Sequence, residues 1–313
     1  MSKVGTTDIT GIMLGDTEIV KAYLGSDIVY QKSKPSYEDQ YLTFVAKGSG
    51  TFTFTPKNSN VINYSTNGGT TWTEGNSVEV SNGDKVMWKG TMTPQSYNGI
   101  GKFSSTAEFD VQGNIMSLLY GDNFKGQTDL TGKDYAFYNL FSDNTKLINA
   151  DKLSLPATIL TDYCYIYMFQ GCTSLTTAPE LPAKTLADSC YDSMFQNCTS
   201  LTTVPALPAT TLANRCYDAM FQNCTSLTTA PELPATTLVS QCYRYMFQNC
   251  TKLNYIKAMF TTTPNGSRPN YYTQNWVSGV ASTGTFVKNS AATWNVTGVN
   301  GVPNGWTVET ASS

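Results

Sequence analysis

Histidine is absent from this chain of 313 residues. Its absence excludes a Ser-His-Asp or Cys-His nucleophile pair, a histidine proton shuttle and an HExxH zinc site. Charge is scarce too. Lys plus Arg number 20, Asp plus Glu 23, and charged residues make up 14%, against about a quarter in ordinary soluble domains. A weakly acidic, charge-poor chain cannot neutralise many phosphates, so nucleic acid is not an expected partner. No apolar run approaches the roughly 18 residues of a membrane span, and no membrane insertion is expected. No strand–loop–helix phosphate motif supports nucleotide binding, and no cofactor is expected. The start, Met1 to Asp8, is polar with no apolar stretch behind it and does not read as a secretory signal. On that reading the chain stays where it is made, leaves by assembly into something larger, or is a processed product given a new Met.

What the chain has is repetition. From Leu155 four units follow, beginning at Leu155, Leu181, Leu207 and Leu233; the second reads LPAKTLADSCYDSMFQNCTSLTTVPA. A degenerate unit around Tyr138-Asn139-Leu140-Phe141 precedes them, lacks both cysteines and reads as a capping repeat. Within a unit Leu186, Cys190, Met194 and Cys198 are spaced by four, which reads as the apolar stripe of a helix. Leu201 to Pro205 then reads as one short strand. Each unit is therefore expected to hold one helix and one strand, stacking its neighbours into a continuous core.

These MFxxCTSLTxxPxLPATTL units resemble the BspA-type leucine-rich repeats of surface proteins of gut Bacteroidales and their phages. The resemblance covers roughly 136–260. It implies a curved solenoid with a parallel sheet on one face, and no single biochemical activity.

Upstream, alternating runs at Tyr41–Ala46, Thr51–Thr55, Val61–Ser65, Thr71–Glu74, Ser77–Val80, Lys85–Lys89 and Glu108–Val111 suggest an antiparallel β-sandwich. Nearer the start, Ile12 to Val20 is echoed by Ala22 to Tyr30, which fits two consecutive hairpins. That segment resembles N-terminal attachment segments of phage tail proteins. Lys32 to Ser36 reads as a linker. The expected fold is thus mixed α and β and multi-domain. It comprises a hairpin attachment segment at 1–33, a β-sandwich at 34–122, a leucine-rich-repeat solenoid with its cap repeat at 123–260, and a C-terminal cap at 261–313.

All 8 cysteines lie in the repeats. Their spacing on a helix and between packed helices exceeds disulfide reach, so they read as buried apolar thiols. CxxC pairs are missing, which leaves no metal site. Asn197, Asn223 and Asn249 fit the glycan acceptor pattern but read as repeat features that end a helix. Ser65 to Trp72 resembles an Asp-box hairpin, with Asn67 in the acidic place; Trp72, Trp88 and Tyr97 are an alternative sugar platform.

No catalytic residue is named. Partner-binding candidates fall into two sets. Thr176, Thr202, Thr228, Glu180, Glu232 and Tyr255 belong to the strand face, where leucine-rich-repeat proteins bind by resemblance. Tyr163, Tyr167, Arg215, Arg244 and Tyr245 recur on the face opposite the core and supply Tyr and Arg anchors. The expected function is non-catalytic recognition: a phage tail-associated, receptor-binding protein of the virion. It would contact a bacterial cell-surface glycan or protein and dock other tail proteins through its N-terminus. A bacterial surface adhesin is the alternative. A glycosidase with paired carboxylates is a third class. Oligomerisation stays open, although no heptad repeat argues for a coiled coil.

Overall fold

The computed structural model describes residues 37–311 in full and, ahead of them, the backbone of four short strands. The chain divides into two compact units, 1–36 and 37–313. In the first, β1 (Ile12–Leu14) pairs antiparallel with β2 (Thr17–Ile19), and β3 (Lys21–Leu24) with β4 (Asp27–Gln31). The expected linker at 32–36 and the side chains of this segment lie outside the described residues.

The second unit opens on eight strands: β5 (Leu42–Ala46), β6 (Gly50–Pro56), β7 (Asn63–Ser65), β8 (Thr73–Glu74), β9 (Ser77–Val80), β10 (Lys85–Lys89), β11 (Gly101–Ser105) and β12 (Phe109–Asn114). Alternation decides which side each residue takes. In β6 Phe52 and Phe54 point into the core, while Thr51, Thr53 and Thr55, which alternate with them, face outward. A three-stranded sheet, β11-β6-β9, faces a six-stranded one that ends β12-β5-β10-β7-β8. Phe44 sits between them, with ring centroids 4.7 Å from Phe103, 5.3 Å from Phe52 and 4.8 Å from Phe109. Gly113, at φ 85°, is required by a close approach: a Cβ there would collide with the Tyr41 carbonyl.

A single helical turn, α1 (Ser117–Tyr120), and a 3-10 turn at Gly121–Asn123 follow. Next comes β13 (Leu147–Ser154), which pairs parallel with β12 and so adds a strand of the repeat region to the six-stranded sheet. At the far end β14 (Tyr255–Ala258), β15 (Thr285–Lys288) and β16 (Thr307–Thr310) form a parallel three-stranded sheet.

The expected helix and strand per repeat are not there. Between β13 and β14 no helix and no named strand occurs, and the sheets do not form a solenoid. Each repeat is a run of overlapping tight turns, and the backbone shows why. Ile166, Met168, Gln170 and Cys172 each donate their N–H to the carbonyl three residues back. The residues between them donate outward: Tyr165 to the Cys190 carbonyl (3.0 Å), Tyr167 to Asp192 (3.1 Å), Phe169 to Met194 (2.9 Å), all one repeat ahead. An α-helix would spend every such N–H four residues back within itself. Here half of them stitch one repeat to the next. The strand run shrinks likewise to isolated bridges, Asn149 to Thr177, Thr177 to Thr203 and Thr229 to Tyr255.

The apolar columns are nonetheless continuous. Phe141, Phe169, Phe195, Phe221 and Phe247 stack with centroids 5.4–5.8 Å apart and planes within 9°. Tyr165, Tyr191, Tyr217 and Tyr243 form a second column. All eight cysteines are free and buried. They sit on turns rather than on helices, and half of them, Cys172, Cys198, Cys224 and Cys250, donate the thiol to a phenylalanine carbonyl of the preceding repeat at 3.0–3.1 Å.

Candidate functional site

Every fourth residue of the turn runs adopts the left-handed conformation. In the second repeat these are Ser189, Ser193 and Asn197, with φ of 52°, 54° and 64°. The same triplet recurs from Tyr135, Tyr163, Arg215, Gln241 and Tyr271. The last lies in the segment expected to be only a cap. L-residues other than Gly, Asn and Asp pay for this conformation with about 1–2 kcal/mol each, and the inter-repeat hydrogen bonds hold them in it. The outcome is a rigid face on which side chains of successive repeats stand in register.

At the sandwich end that face is aromatic. Tyr135 and Tyr163 stack with centroids 4.6 Å apart and planes 7° apart. Tyr138 meets Tyr135 and Tyr167 edge-on, both at 5.9 Å. Tyr97 comes from a tight turn of the sandwich, in which the Gly99 N–H donates to the Gln95 carbonyl at 2.9 Å. Its ring lies 5.0 Å from that of Tyr135 and is 73% exposed. Burial, then its bond to Tyr97, raises the Tyr135 phenol above its ordinary value. Beside the rings, the Asp188 N–H donates to the Asp162 carboxylate at 3.1 Å. Burial, with repulsion from Asp188 and Asp134, raises the Asp162 carboxyl against that bond.

Further along, the face becomes ionic. Asp192 and Asp218 are buried carboxylates of adjacent repeats. Arg215 reaches Asp192 at 3.1 Å, and Arg244 Nε donates to both Asp218 oxygens, at 3.1 and 2.9 Å. Burial, then the Asp218 charge, pushes Asp192 up to about 6, while Ser193 and Arg215 pull the other way. Tyr245 lies beneath the Arg244 guanidinium, 5.2 Å from its carbon to the ring centroid.

The candidates expected on an exposed helix face thus lie on this turn face in two groups. Tyr163 and Tyr167 join the tyrosines; Arg215, Arg244 and Tyr245 join the aspartates. The strand-face candidates lie elsewhere, along the bridges. Thr176 donates to Ile148 O and Asn149 Oδ1, and Thr202 to Thr176 O at 3.3 Å. Thr228 and Glu180 are exposed, Tyr255 is half-buried, and Glu232 pairs with Lys257 at 3.1 Å.

The three-residue sugar platform fails because Trp88 is fully buried between the sheets and Trp72 packs under Lys89, 4.3 Å from the ammonium. Asn67 organises its hairpin by accepting from Thr71 N–H at 3.0 Å. Asn197, Asn223 and Asn249 bond to one another along the stack in left-handed turns. Sequence reasoning missed Tyr135 and Tyr138, and it placed Tyr97 in the wrong group. The recurrence of Tyr135 at the position of Tyr163 was the available signal; Tyr138, at the position of Ile166, had none.

Residues 133–272 match the model of the BspA type leucine rich repeat region, in six copies. The chain is similar to BspA-type repeat proteins over that stretch. Such repeats suggest a surface or adhesion-type repeat protein. No curated protein and no solved structure matches the chain.

Proposed function

We propose that this protein is a non-catalytic recognition protein whose turn face grips a bacterial cell-surface glycan or protein. The observation that carries the reading is the two groups of anchor side chains on the turn face, Tyr97, Tyr138, Tyr163 and Tyr167 at one end and Arg215, Arg244 and Tyr245 at the other, built on BspA-type repeats. Tyr and Arg are the side chains that most often anchor an interface, and here the backbone holds them before any partner arrives, which lowers the ordering cost of binding. In the finer form of the proposal the protein is a phage tail-associated, receptor-binding component of the virion, docked to other tail proteins through residues 1–33. The resemblance of the two echoing segments to tail attachment segments supports it. The repeats themselves favour a second setting for the same face, an adhesin on a bacterial surface.

The test is binding of the fluorescently labelled full chain to a panel of gut Bacteroidales cells by flow cytometry. Saturable binding to some strains is expected, weakened about tenfold or more by Tyr163→Asn with Arg244→Ala. A larger loss from Thr202→Arg with Thr228→Arg would move the site to the threonine columns. No binding to any strain would reject the function. Immunogold labelling of virions against cell envelopes separates the two settings.

A further inference from the structure

We infer that the tyrosine end of the turn face, Tyr97 with Tyr135, Tyr138 and Tyr163, is a platform for a neutral glycan chain; the inference rests on the recognition function proposed above. Three observations carry it. First, Tyr97 is out of keeping with its surroundings. It is a large aromatic side chain, 73% exposed, at φ 60° in a tight turn outside the repeats. A bulky residue in that conformation is strained, and the strain is retained where the surroundings over-determine it. Gly99 permits the turn to press on the repeats: a Cβ there would meet the Tyr138 and Tyr135 carbonyls at 3.0 and 3.1 Å.

Second, the rings divide the work. Tyr135 is buried, stacked on Tyr163 and bonded to Tyr97, so it backs the platform; half-buried Tyr163 and Tyr138 offer their edges to the ligand. Tyr97 is tilted 46° from Tyr135 and keeps an open face. An aromatic face is the negative side of its quadrupole, so it attracts the weakly positive C–H face of a pyranose ring.

Third, the flanking charge selects the ligand. Asp134 and Asp162 immediately precede Tyr135 and Tyr163 in the chain, and Asp188 is tied to the second pair, its N–H donating to the Asp162 carboxylate at 3.1 Å and its carbonyl accepting from the Tyr163 N–H at 3.0 Å. Ionised carboxylates only accept hydrogen bonds, and sugar hydroxyls donate them. The same charges repel uronates, sialylated chains and phosphates. An open strip also suits a chain lying along it better than a small molecule enclosed in a pocket.

The test is affinity electrophoresis of the full chain in native gels cast with yeast mannan, β-glucan, galactan or arabinoxylan, with polygalacturonate as the anionic probe. It is run alongside cell binding before and after periodate oxidation of the cell-surface glycans. At least one neutral gel should retard the protein, polygalacturonate should not, and periodate should abolish cell binding. Tyr97→Asn removes the ring while keeping a residue that tolerates the left-handed turn, and should weaken retardation about 30-fold, the loss typical of an interface hot spot. Circular dichroism of that variant should match the parent, because the ring is exposed. Cell binding that survives periodate, with no retardation in any neutral gel, overturns the inference in favour of a protein receptor and leaves the recognition function standing. Retardation unchanged by Tyr97→Asn overturns the platform. Absence of cell binding altogether sinks the proposed function itself.

Discussion

The sandwich and the repeats bury comparable aromatic cores by opposite means. In the sandwich, strands distant in sequence pair, such as β5 with β12, and alternation sends every second side chain inward. Its charges stay at the rim, as in the 2.8 Å pair of Lys47 with Asp110, whose side chains are 45% and 22% exposed. In the repeats, no strand lies between β13 and β14. Turns fold the chain locally, every fourth residue is left-handed, and half the N–H groups bond the next repeat. Charges there go inside, as Asp192 and Asp218 show. The sandwich is held by pairing that any alternating sequence can join. The repeats are held by register: each side chain has its own counterpart one unit away, and a face of matched side chains follows directly.

The strongest test of that contrast is core truncation. Phe103→Ala and Phe195→Ala, both at fully buried rings, should each cost about 3–5 kcal/mol. Phe141 joins the two regions, stacked 5.6 Å from Phe103 and 5.4 Å from Phe169. Either substitution should therefore shift the whole of residues 37–311 in one transition in urea. Trp88 lies in the sandwich and Trp276 beyond the last of the four near-identical repeats. Distinct midpoints in single-Trp variants retaining one or the other would show that the regions unfold separately.

The buried carboxylates give the next largest effect. Asp192 is raised to about 6, above its ordinary value near 4, so folding favours its protonated form. Its contribution to stability is therefore greatest below about pH 4 and declines as pH rises through about 6. Asp192→Asn should gain on the parent by up to roughly 3 kcal/mol between pH 4 and pH 7, at about 1.4 kcal/mol per tenfold change in proton affinity. Urea midpoints across the pH series decide; a gain that fell with pH would reverse the assignment.

Ala219→Gly reads the backbone by the sign of its effect. At φ 50° glycine relieves a left-handed strain of about 1 kcal/mol, so the variant should be more stable. In the helix expected from sequence the same change would cost about as much.

That sign marks where the sequence was legible and where it was not. Seven of the eight sandwich strands follow from period-two alternation, while β11 (Gly101–Ser105) was not expected; the repeat length follows from near-identical copies. The helix was misread because a spacing of four was taken for 3.6. On a helix each step of four drifts by about 40°. Here Cys190 with Tyr191, Met194 with Phe195, and finally Cys198 return to the same side without drift and are all buried. A second signal lay in the third left-handed slot of each unit, held by Asp143, Gly171, Asn197, Asn223, Asn249 and Gly279, the residue types that tolerate that conformation. The tyrosine platform was beyond sequence reasoning: Tyr97 belongs to a sandwich loop, and only packing brings it to Tyr135.

The smallest effect concerns the thiols. Cys198 donates to the Phe169 carbonyl at 3.1 Å, but the Cys172 N–H also reaches that carbonyl at 3.1 Å. Cys198→Ala therefore leaves no buried acceptor unsatisfied; it removes a weak donor and a small apolar volume, for about 1 kcal/mol. Burial raises all eight thiols. A thiol-specific disulfide reagent should accordingly label the native protein no faster than it unfolds, since only the thiolate reacts. If labelling outpaced unfolding, or the alanine variant lost several kcal/mol, the cysteines would be more than small apolar spacers. The register of the stack would then depend on sulfur chemistry rather than on the hydrogen bonds between repeats.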